Sequence, residues 1–133
     1  LHNDSHKFES SFVNVTIPEN DSVMFGSLSG LRLGVWVAHG EGKFYLPEEK
    51  ESYNFGMEYS YSAYPGNPNG SDHNVAGLLS KDGRHLAIMP HIERAIAPWN
   101  WPYYPEDLQN EEVSPWINAF INAKNWVGEK ISQ

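Results

Sequence analysis

Apolar and polar residues alternate from Val13 to Ile17, and Phe12 to Ile17 is a run rich in β-branched side chains that predicts a strand stopped by Pro18. Asp21 or Ser22 offers the N-cap of a short helix through Leu28, with Gly30 as its end. Leu31 to Ala38 predicts a second strand. Its latter half, Val35-Trp36-Val37, is apolar on both faces, as in a strand covered on two sides. A helical turn is expected over Leu46 to Glu51, with Pro47 near its start, and a third strand from Met57 to Tyr61. Two Pro, two Gly and three Asn make Tyr64 to Asn74 a loop. Val75 to Leu79 and His85 to Met89 flank the turn signal Lys81-Asp82-Gly83 and predict a β-hairpin.

Pro98 to Pro105 reads as an aromatic, proline-studded loop. Ser114-Pro115 then supplies an N-cap and a first-turn Pro for a terminal helix. Trp116, Phe120, Ala123 and Val127, joined by Ile117 and Ile121, give that helix an apolar face, and Gly128 is its expected end. Strands and helices alternate early, and a hairpin and a helix come late. That order predicts an α/β layered sheet with an antiparallel extension, too short to complete a doubly wound domain by itself.

Composition narrows what such a chain can do. Its 133 residues suit one domain with a modest core, or part of a larger one. Nine Lys and Arg against seventeen Asp and Glu give a formal charge of −8, which opposes a nucleic-acid or membrane-surface role. There is no cysteine, so a disulfide framework, a thiolate metal site and a thiol nucleophile within these residues are all excluded. No run approaches the roughly eighteen apolar residues needed to span a bilayer. Leu1 to Lys7 is too polar for a signal peptide, and sequons at Asn3, Asn14, Asn20 and Asn69 are read as unmodified, so a cytoplasmic setting is expected.

Three segments could carry chemistry. In Met89-Pro90-His91-Ile92-Glu93-Arg94, a His and a Glu two residues apart on extended backbone point the same way. The carboxylate can then accept from one imidazole nitrogen while the other faces a substrate or nucleophile. The same spacing also fits a surface His beside a Glu93–Arg94 ion pair. Ala38-His39-Gly40-Glu41-Gly42 follows the second strand, and its glycines could expose N–H groups to a carboxylate or simply form a turn. Asn67-Pro68-Asn69-Gly70-Ser71 reads as a solvent loop. Six histidines invite a metal site, but there are no cysteine partners for a structural one, and no metal is expected. Trp99 to Tyr104 is read as covering a core edge or an interface, with sugar or base stacking as the other reading.

Taken together, Ala38-His39-Gly40-Glu41-Gly42, Tyr64-Pro65-Gly66-Asn67-Pro68-Asn69-Gly70-Ser71, Met89-Pro90-His91-Ile92-Glu93-Arg94 and Ser114-Pro115-Trp116 resemble the large, single-chain phosphoribosylformylglycinamidine synthase family. Phe8-Glu9-Ser10 and Gly30-Leu31 fit the preceding family segment, so the resemblance covers essentially the whole chain. It implies the C-terminal half of a class I glutamine amidotransferase domain, a flavodoxin-like three-layer α/β fold, over residues 1–133. It also implies a Cys-His-Glu triad that hydrolyses glutamine, with His91 as base and Glu93 as its orienting acid. By analogy, Ala38, His39 and Gly40 hold the α-groups of glutamine. The released ammonia would serve an ATP-dependent synthetase region of the parent in purine biosynthesis, where Mg-ATP is expected; no cofactor is expected in this chain.

The family's Pro between the His and the Glu is here Ile92, which is expected to loosen the backbone. The larger departure is the missing nucleophile elbow, expected upstream of Leu1. The chain alone is therefore expected to be inactive, and to self-associate through a sheet face or edge left uncovered. The reading from another class is a non-catalytic acidic binding or interface module that uses the Trp99 to Tyr104 loop.

Overall fold

The computed structural model describes residues 1–133. Strands β1 (Glu9–Thr16) and β2 (Arg32–His39) form the longest antiparallel pair, in register from Glu9 opposite His39 to Thr16 opposite Arg32. Alternation along both strands sends Val13, Val15, Leu33, Val35 and Val37 into the core. On the other face Phe12 meets Trp36 edge-on at 5.0 Å, and Trp101 closes over Phe12 at 5.4 Å. Glycine at position 34 makes this possible, because a Cβ there would lie 2.3 Å from the Phe12 ring.

The sheet continues through β3 (Asn54–Tyr59), β4 (Val75–Leu79) and β5 (Leu86–Ile88), in the order β2-β1-β3-β4-β5, and every pair is antiparallel. β1 and β3 pair only at Val15–Tyr59 and Thr16–Glu58, so the two strands diverge toward Glu9. After β5 the chain crosses back toward the far edge of the sheet. The Met89 N–H donates to the Ala76 carbonyl at 3.0 Å, and the His91 N–H donates to the Trp36 carbonyl of β2 at 2.8 Å. That single bridge curls the sheet almost to closure.

The first two strands and the hairpin lie where β-branched runs and the Lys81-Asp82-Gly83 turn place them, and the chain is α/β with a C-terminal helix. Five local expectations are corrected. Residues 21–28 hold turns and one 3-10 turn, Gly26–Leu28, instead of an α-helix. The Asn20 and Ser22 side chains bond the backbone there, and so few residues cannot offset helix nucleation. The next helical turn is Lys50–Ser52, and the third strand starts earlier and stops at Tyr59. The terminal helix α1 (Ile117–Ile131) runs through Gly128, whose missing side chain faces open space.

The fifth correction concerns which side of α1 is covered. Trp116 and Ala119 are fully buried, and the Trp116 indole N–H donates to the Gly34 carbonyl at 2.9 Å. Phe120, Ile121 and Val127 instead face outward. Of the aromatic loop, Trp101 is buried against Phe12 and Tyr104, whereas Trp99 and Tyr103 are exposed.

Candidate active site

His91 stands where the chain leaves the sheet, at the bridge to Trp36. Its carbonyl accepts the Arg94 N–H at 3.2 Å and that of Ile92 accepts the Ala95 N–H at 3.1 Å, which fixes a 3-10 turn over Ile92–Arg94. Ile92 is buried in the main core. Its side chain thus anchors the turn, which offsets the loosening expected from the loss of Pro.

On this support, His91 Nδ1 lies 2.8 Å from Glu93 Oε1. A carboxylate only accepts, so Nδ1–H donates and Nε2 carries the lone pair. The Arg94 guanidinium reaches the same carboxylate oxygen only at 3.9 Å. Both readings of the spacing therefore coexist, and the imidazole–carboxylate contact is the tighter. The His91 side chain is 32% exposed and that of Glu93 55%, so the dyad borders solvent.

The other predicted residues, Ala38, His39 and Gly40, end β2 and begin the glycine-rich turn. Asn3, which the sequence marked only as a sequon, is the hub of this turn. Its backbone N–H and side-chain amide engage the carbonyls of Gly40 at 3.0 Å and His39 at 2.7 Å. Its Oδ1 meets the Gly42 N–H at 3.1 Å and His39 Nδ1 at 3.2 Å. Gly42 is required here, because a Cβ would lie 2.5 Å from the His39 ring. Burial holds the His39 imidazole below the ordinary histidine range, and the nearby His91 opposes its protonation further. Burial thus favours the neutral form of His39.

The Asn67 to Ser71 segment is a correction. Asn67, Pro68, Asn69 and Ser71 are buried, because the asparagine side chains supply the polar partners that solvent would otherwise give. Asn69 Nδ2 donates to the Gly42 carbonyl at 2.7 Å and to the Tyr59 hydroxyl at 3.1 Å, while Asn69 Oδ1 accepts from Ser71 Oγ at 2.8 Å. The loop thus fastens the glycine-rich turn from behind. No group of three or more His, Asp or Glu is placed to hold a metal ion.

Residues 1–127 match the CobB/CobQ-like glutamine amidotransferase domain. The chain belongs to that family. Among relatives of this amidotransferase domain, the phosphoribosylformylglycinamidine synthase of Drosophila melanogaster is 44% identical over 95% of this chain and 10% of that protein. The Homo sapiens synthase is 41% identical over 96% of the chain and 10% of its own length. The chain thus spans about a tenth of the curated relatives it matches. The solved structure of PurLQS from Thermotoga maritima superposes with a TM-score of 0.68, at 26% identity, over 96% of this chain and 51% of that one.

Proposed function

We propose that this chain supplies the base and the orienting acid of a glutamine-hydrolysing, ammonia-supplying site in a phosphoribosylformylglycinamidine synthase. The observation that carries the reading is the 2.8 Å contact between His91 Nδ1 and Glu93 Oε1, made on a turn that leaves Nε2 free. Glu93 holds the imidazole in one tautomer and stabilises the imidazolium. His91 takes the proton of a thiol and later delivers it to the departing ammonia. The chain has no cysteine, so the thiol and the oxyanion-binding amides come from other residues of the parent polypeptide. Ala38, His39 and Gly40 frame the amino-acid end of glutamine. Ammonia then passes to the synthetase region of the parent, which uses ATP to form the amidine.

Two experiments test this. The chain alone, given glutamine, is expected to release no ammonia above the uncatalysed rate; turnover near that of the intact parent would overturn the reading. In the full-length protein, Glu93→Gln is expected to lower glutamine-dependent activity about 10²-fold while synthesis from added ammonia persists. That loss is smaller than the roughly 10⁴-fold seen when a buried triad acid is neutralised, because water reaches Glu93 and shares in orienting the imidazole. An equal fall with glutamine and with ammonia would mean a structural role only.

A further inference from the structure

Four buried side-chain polar atoms have no hydrogen-bond partner in the protein, and three of them converge at one end of the β1–β2 pair: Glu9 Oε1, Ser11 Oγ and His39 Nε2. Glu9 and His39 are directly opposite each other across the two strands, and Ser11 lies two residues along β1 from Glu9. Residues related in this way share one face of the sheet. Glu9 is 8% exposed and His39 7%, so both are more than nine-tenths withdrawn from water. A carboxylate oxygen left without a donor in such a place is costly, and the cost is removed by a ligand that brings one.

The protein itself offers little. The Tyr64 hydroxyl approaches the other Glu9 oxygen only at 3.5 Å, and Tyr64 is largely exposed. His39, held neutral by burial, adds no positive charge. The strands also part here, since β1 and β3 pair only at Val15 and Thr16.

We propose that Glu9, assisted by Ser11 and His39, is a binding site for an ammonium group. The inference rests on the glutaminase reading above, which supplies two sources for that group: the α-ammonium of glutamine, or the ammonia released from its side chain. Glu9 provides the charge, Ser11 Oγ a second acceptor and His39 Nε2 a lone pair. Tyr64 is the side chain that yields to admit the group.

The test uses the full-length parent, once His91→Ala has established that its glutamine use depends on the dyad. Glu9→Gln keeps the side chain's shape and removes its charge. Three quantities are read on this variant: kcat/KM with glutamine, kcat/KM with 4-carbamoylbutyrate, which is glutamine without its amino group, and the ammonia that escapes per product formed. If the α-ammonium is the ligand, kcat/KM falls about 30-fold or more for glutamine and is little changed for the analogue. If released ammonia is the ligand, glutamine hydrolysis persists while ammonia escapes to the medium. An equal fall for glutamine and the analogue with no escape, or no change in any of the three, overturns the proposal. Should Glu9→Gln fail to fold, Glu9→Asp carries the same measurements, with smaller shifts in the same directions.

Discussion

Full-length protein carrying His91→Ala is expected to lose glutamine-dependent synthesis by about 10⁴-fold or more, with synthesis from added ammonia intact. Two losses combine. General acid–base catalysis by a positioned imidazole contributes about 10²–10⁴-fold. Removing the base also leaves the attacking thiol largely protonated, and in nucleophile–base–acid sites the parts act as a unit, so one deletion approaches the cost of losing all. The effect should exceed that of Glu93→Gln, because under the proposed function the half-exposed carboxylate only orients while the imidazole moves the proton. The measurement is initial rate with glutamine against initial rate with an ammonium salt. A His91→Ala protein that still uses glutamine well would replace the catalytic reading with the interface module centred on the exposed Trp99 and Tyr103.

The second large effect is on stability. Trp116→Ala is expected to destabilise the fold by about 3–5 kcal/mol, the usual range for emptying a buried aromatic site. Trp116 is fully enclosed, packs at 6.1 Å from Phe25, and caps the Gly34 carbonyl of β2. The substitution therefore opens a cavity and leaves a buried acceptor unpaired. Val127→Ser, one face round the same helical segment, is expected to change stability by less than about 0.5 kcal/mol, as surface substitutions do. Denaturant unfolding of both variants decides the matter. Comparable losses would mean that Val127 is covered in solution.

These two substitutions also show where sequence reasoning carries and where it stops. Helical spacing made Trp116, Phe120, Ala123 and Val127 one stripe, and the helix formed as expected. Periodicity cannot say where the wall stands, however. The sheet lies against Trp116 and Ala119, and Phe120 and Val127 turned outward. β1, β2 and the β4–β5 hairpin were readable because β-branched runs and a glycine turn act locally. The His91–Glu93 contact was readable for the same reason, being only two residues long. Asn3 was not, because its partners lie 36 to 39 residues away and only the folded chain brings them to it. Glu9 was hidden likewise, since its importance depends on strand register, which no spacing in the sequence fixes. Asn67 to Ser71 misled because turn-forming composition and solvent exposure are different properties.

The join between β5 and β2 has a mechanical consequence. The imidazole is mounted at the clasp of a nearly shut cylinder, and one ladder contact to Trp36 fastens that clasp. Under the proposed function, loosening it would carry the His91 imidazole out of line without altering any reacting group. Damage to Trp36 or Pro90 would then pass in an assay for a chemical defect, although its origin is a hinge that no longer latches.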